Sequence, residues 1–147
     1  MQSKLLDRSN GRATYAIILD SGEEVLSTLQ GFVEREEISA AHFSAIGAFS
    51  GATRKYFDWS TKVYQDNPID EQVEVASLIG DVALSPAGAP TLHIHAVLGR
   101  RDGTALAGHL GKGIVRPTLE IILTESPAYL RKKYDPETGL ALIDAES

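Results

Sequence analysis

The sequence predicts a single α+β domain: a mixed, largely antiparallel β-sheet covered by one main helix. Three observations carry this reading. Several runs rich in β-branched and aromatic residues, bounded by Gly, Pro, Asn and Asp, read as strands. One stretch behind Ser21 repeats its apolar residues at helical spacing. Residues 91–110 have the form of a hairpin, two extended runs around Asp102-Gly103. At 147 residues and 43% hydrophobic, the chain suits one domain over 1–147 with a core of its own.

Fourteen basic against twenty acidic side chains give a net charge of −6, which favours solubility and disfavours polyanionic partners. With no cysteine, neither a disulfide nor a thiolate metal site is available. Residues 1–8 lack the apolar core of a signal peptide, and no run approaches membrane-spanning length, so the expectation is a cytoplasmic protein with no membrane partner.

Residues 12–19 read as a first strand. Ser21 and Glu24 then form a capping-box pattern, and a helix over 22–35 should bury Val25, Leu26, Leu29, Phe32 and Val33 against the sheet. Gly31 weakens that helix locally, and the acidic run 34–37 is a solvated helix end. Residues 41–49 form a second strand whose small residues allow another backbone to approach. His42, alone there, reads as structural. Residues 53–59 form a third strand, and 64–70, with Asn67-Pro68, a turn-rich connector. Tyr56, Trp59 and Tyr64 serve packing in the first instance, a ligand site in the second.

Residues 73–80 and 81–84 alternate poorly, as expected of a strand buried on both faces. A loop over 85–90 leads into the hairpin. Beyond it, 114–115 and 118–123 continue the sheet, broken by Pro117. Glu120 on that apolar run is either a partner of a metal-bound histidine or an exposed edge residue. Residues 129–139 form a mixed-charge tail, and its basic triplet Arg131-Lys132-Lys133 is too short to indicate nucleic-acid binding.

The hairpin holds three of the four histidines, His93, His95 and His109. Side chains alternate along a strand, so His93 and His95 share a face. A two-residue Asp102-Gly103 loop would pair Arg101 with Thr104 and turn His109 to the other face. A three-residue loop, with Gly103 in the left-handed region, pairs Arg100 with Thr104 and His95 with His109. This second register also matches Leu98 with Leu106 and Ile94 with Leu110, and apolar matching sets register. It is the favoured one, and it gathers three imidazoles. Such a set suits a borderline divalent metal, zinc first, with one position left for water or a ligand. The bland alternative is a solvated strand face with ordinary polar histidines. Imidazole ligands must be deprotonated, so metal should be lost below about pH 6.

Leu92-His93-Ile94-His95-Ala96-Val97-Leu98-Gly99, the turn Asp102-Gly103 and Gly108-His109-Leu110 resemble the signature of the plants-and-prokaryotes conserved (PPC) domain. The resemblance extends to residues 44–52, 77–80 and 120–123, most of the chain. It implies an α+β fold, a homotrimer, and a metal site on the three histidines. In plants such domains accompany AT-hook segments that bind DNA.

Two functions from different classes follow. The first is a homotrimeric metal-binding protein whose three-histidine, zinc-preferring site binds or acts on a small ligand. Spacing assigns no catalytic residue: Glu120, Glu74 and Asp81 are the available carboxylates. The second is a DNA-binding or transcription-associated protein. The AT-hook core Arg-Gly-Arg-Pro is absent, Val115-Arg116-Pro117 being the nearest approach, and the acidic balance opposes phosphate binding. Arg100, Arg101, Lys112 and Arg116 flank the hairpin and would sooner serve a small anionic ligand. A third reading is a structural oligomer pinned by its histidines. A cupin is excluded because Gly99 and Arg100 stand where its glutamate belongs, and a phosphate loop because Lys112 is followed by Gly113.

Overall fold

The computed structural model describes residues 1–126 and 130–146. Its first two strands, β1 (Gln2–Ser9) and β2 (Arg12–Asp20), make a hairpin through Asn10 and Gly11, at φ 52° and 73°. Two central residues at positive φ give the turn whose twist matches the flanking strands. β1 has no counterpart in the sequence reading. It is exposed along its whole length, so no alternation marks it.

The helix α1 (Val25–Arg35) begins later than residue 22 because Gly22 lies in a turn at φ 90° and Glu24 is extended. Gly22 N donates to Val115 O at 2.9 Å, and Val115 N donates to Glu23 O at 3.0 Å. The expected capping box does not form: Ser21 Oγ donates to the Pro117 carbonyl instead. Glu24 is itself the cap, its carboxylate accepting from the backbone N–H of Leu26 (3.1 Å) and Ser27 (2.8 Å). The buried face is the predicted one, Val25, Leu29, Phe32 and Val33, with Leu26 at its margin.

The second and third predicted strands are one, β3 (Ala41–Asp58). Beside it lies β4 (Val63–Ile69), which overturns the connector predicted at 64–70. Pro68 is tolerated because β4 pairs only with β3 and lies off the main strand path. Next come β5 (Val73–Leu84), β6 (Pro90–Gly99), β7 (Ala105–Glu125), β8 (Arg131–Asp135) and β9 (Leu140–Asp144). Of the predicted tail, β8 covers the basic triplet, and Tyr129 lies outside the described residues.

The main path runs β1-β2-β7-β3-β5-β8-β9, antiparallel except where β5 meets β8. β6 pairs with both β5 and β7, so β3, β5, β6 and β7 close into a ring. One core joins Phe43, Phe49, Leu78, Leu98, Leu110 and Ile121 of the ring to Leu29 and Phe32 of α1, which lies against β6 and β7. Each such buried Leu or Phe contributes about 1.5–3 kcal/mol relative to exposure. The architecture is therefore the predicted one: a mixed, largely antiparallel sheet with one covering helix.

Bulges account for two departures. β5 is not buried on both faces: Glu74, Ser77 and Ile79 are exposed. A register shift between Val75 and Ser77 moves the inward residues from Val73 and Val75 to Leu78 and Val82, which erases the alternation in sequence. Likewise β7 continues through Pro117 rather than breaking, because its ladder with β3 slips there, between Leu119 and Val115. Close approach of these strands needs Gly47 (φ 156°): a Cβ there would stand 2.2 Å from the Thr118 carbonyl oxygen. No helix is long and apolar enough to cross a membrane among the described residues.

Candidate metal centre

The β6–β7 hairpin takes the predicted register. Arg100 N donates to Thr104 O at 2.8 Å, Gly103 N donates to Arg100 O at 2.9 Å, and Gly103 has φ 84°. Asp102 Oδ1 locks the turn by accepting from the Thr104 N–H (3.0 Å) and hydroxyl (2.6 Å). Leu98 pairs with Leu106 and His95 with His109. The ladder ends there. Ile94 and Leu110 are both buried beneath it, and Leu110 pairs with Arg54.

His93, His95 and His109 therefore meet on the outer face of the ring. Their ring centroids are 5.1, 5.3 and 5.5 Å apart, and one nitrogen of each lies within 4.8 Å of the others. Burial first, then the neighbouring His93 and His95, then Lys55 and Lys132, hold the His109 imidazole down at about 4. His95 is lowered as well, by burial and then by His93. Imidazoles that resist protonation are ready to ligate a metal. His109 Nδ1 is also buried without a hydrogen-bond partner. A buried orphan nitrogen in such a cluster fits a cation that takes up its lone pair.

Of the three carboxylates the sequence offered, one stands at the cluster and two do not. Glu120 is exposed, as the second alternative had it, but it stands between Ile18 and Ile46 on the central strand β7, so it is neither beside the histidines nor on an edge. Glu74 pairs with Ala48 and Gly99, away from the cluster. Asp81 is the carboxylate that reaches it: β5 pairs Asp81 with His93 and places Oδ2 3.4 Å from His93 Nδ1. His42 faces Asp81 from β3, exposed and outside the cluster.

Arg100 and Arg101 sit at the hairpin tip, Arg100 being roughly 16 Å from His95 at strand rise. Arg100 is bound to Glu71 at 2.7 Å. The cations beside His109 are Lys55 and Lys132. Tyr64 of β4 lies over His109, with centroids 5.0 Å apart. It is the one of the three singled-out aromatics at the site: Trp59 carries the Lys62 ammonium 3.1 Å from its ring centre, and Tyr56 is exposed. Tyr64 thus takes the second of the two uses the sequence offered it, while Lys132 reaches the site from a strand, β8, that the sequence did not announce.

Among solved structures, the chain resembles a protein from Bacteroides thetaiotaomicron, provisionally described as DNA-binding, with TM-score 0.89 and 28% identity over 99% of both chains. A plant- and prokaryote-conserved protein from Pyrococcus horikoshii shares 33% identity at TM-score 0.83, over 97% of this chain and 94% of its own. A metal-containing protein from Archaeoglobus fulgidus shares 31% at TM-score 0.81, over 97% and 96%. No curated protein matches. The Plants and Prokaryotes Conserved (PCC, or PPC) domain is matched over residues 7–127, spanning α1, the ring and the histidine hairpin. The chain belongs to this domain family.

Proposed function

We propose that the protein binds one divalent metal ion per chain through His93, His95 and His109, zinc before other metals, with a coordination position open to a small ligand. The observation that carries this is the cluster itself: three ring nitrogens within 4.8 Å, with His109 Nδ1 buried and unpartnered. The metal-containing relative from Archaeoglobus fulgidus supports it. A metal held this way supplies Lewis acidity at its open position. Elemental analysis of the purified protein tests the reading. One ion per chain is expected, lost in His93→Ala, His95→Ala and His109→Ala and retained in His42→Ala. Loss in His42→Ala with retention in His109→Ala overturns it.

The working assembly in this proposal is a homotrimer. Its support is an exposed apolar row on the outer face of the sheet. Ile122 and Ile79 flank Ser44 in register, with Ile46 nearby on β3, and the three isoleucines are 47%, 60% and 61% exposed. Adjacent exposed isoleucines of this kind mark association surfaces. Light scattering at micromolar concentration checks it, a monomeric mass being the contrary result.

DNA binding is the second reading, favoured by the provisional description of the Bacteroides thetaiotaomicron relative. It ranks below metal binding because the chain is net acidic and its basic residues are spread along the sequence, with no run longer than the triplet Arg131-Lys132-Lys133.

A further inference from the structure

A cavity of about 400 Å³ opens beside the histidines, walled by Tyr64, Leu92, Leu140, Leu142 and Ile143, with His93, His109 and Lys132 contributing its polar groups. Its volume falls near the small end of ligand sites, roughly 300–1,000 Å³. Apolar walls with a few convergent polar groups are the usual composition of such sites.

The charges select the ligand. Lys55 is taken by Asp66 at 2.7 Å. Lys132 has no carboxylate partner among the described residues, although it lines the cavity. Once a divalent ion is bound, its charge and Lys132 together face one carboxylate, Asp81, so the site carries excess positive charge. That excess calls for an anion. Phosphate would want an arginine fork or a helix N-terminus, and the cavity is lined by neither. The aliphatic wall from β6 and β9 instead suits a hydrocarbon tail.

We propose that this cavity binds a small monocarboxylate, its carboxylate between the metal and the Lys132 ammonium and its short aliphatic tail against Leu92, Leu142 and Tyr64. The inference deepens the metal-centre reading and rests on it. Lys132 is thereby a ligand-binding residue supplied by β8, and β9 supplies specificity for the tail.

The test uses the full chain loaded with cobalt(II), whose visible spectrum reports its coordination. Acetate, isovalerate and inorganic phosphate are titrated in turn. Isovalerate should perturb the spectrum and bind about tenfold tighter than acetate, the gain from partly burying the extra carbons. Phosphate should bind more weakly than isovalerate. Lys132→Gln should weaken isovalerate about tenfold, the loss of one charge-assisted hydrogen bond, while cobalt still loads at one ion per chain. Leu142→Ser should remove the preference for isovalerate over acetate. Equal binding of the two carboxylates, tighter binding of phosphate, or indifference to Lys132→Gln overturns the proposal while leaving the metal centre standing. Failure of cobalt to bind at all overturns the metal centre itself and this inference with it.

Discussion

Asp81 presents Oδ2 to His93 Nδ1 at 3.4 Å, while its Oδ1 is buried with no partner. The pairing of Asp81 with His93 across β5 and β6 makes this a consequence of sheet register. A carboxylate beside one ring nitrogen orients the imidazole and raises the basicity of the other. Asp81→Ala should therefore lower zinc affinity about 10–100-fold with stoichiometry unchanged, as read by competition with a chromogenic chelator. Glu120→Ala, two strands away from β5, should leave the affinity as it was. Equal losses in both variants would reject the orienting role.

A second relationship ties the helix to the hairpin strand. Glu24 caps α1, and its Oε1 also accepts from the Gly113 N–H of β7 at 3.4 Å. Burial alone would raise the Glu24 carboxyl, but hydrogen bonds from Ser27, Leu26 and Gly113 outweigh it and hold the group below its ordinary 4.5. For a carboxyl depressed in the folded state, the stabilisation is present above the unfolded value and is lost as the pH falls through the folded one. Glu24→Ala should cost about 1 kcal/mol at pH 7 in urea unfolding. The gap between wild type and variant should narrow once the pH falls below 4.5. A gap that stays constant from pH 7 to 3 would show that the charge contributes nothing.

The parts legible from sequence were those where local rules agree with the fold. Gly103 at φ 84° is where a three-residue loop needs it, and matching Leu98 to Leu106 was enough to place His95 opposite His109. Alternation failed wherever a bulge intervened. In β5 the inward set changes phase after Val75, so a half-exposed strand resembled a fully buried one. β1 was missed although Asn10-Gly11 announces its turn, because an exposed edge strand has no buried face to pattern it. The surroundings of the histidine cluster were obscured for a related reason. Tyr64 and Lys132 reach the histidines from β4 and β8, and only pairing between distant segments brings them there.

The exposed isoleucines give a test of assembly that spares the protomer. Ile46 pairs in register with Glu120 across β3 and β7. Ile46→Lys places an ammonium beside that carboxylate, an opposite-charge cross-strand pair that an isolated sheet tolerates. An interface built on this face would instead have to bury the new charge, at a cost of several kcal/mol. The variant should remain folded by circular dichroism and fall to monomer mass by light scattering. Retention of the wild-type mass would move the interface off this face.

DNA affinity distinguishes the two readings of the family. Non-specific binding to duplex DNA comes chiefly from neutralising phosphates and releasing counterions. Here 14 basic side chains are outnumbered by 20 acidic ones. Several of the basic ones are already engaged: Lys55 with Asp66, Arg100 with Glu71, Arg35 with Glu36, and Lys62 over the Trp59 ring. What remains is scattered over β1, β2, β3, the hairpin tip, β7 and β8, with no run longer than the triplet Arg131-Lys132-Lys133. Binding to mixed or A·T-rich duplexes should therefore be no tighter than about 10⁻⁶ M at physiological salt. Fluorescence anisotropy over a salt series measures it. A sub-micromolar isotherm that weakens steeply with salt would place DNA binding above the metal-centred function, and its loss in Arg131→Ala or Lys133→Ala would locate the surface on β8.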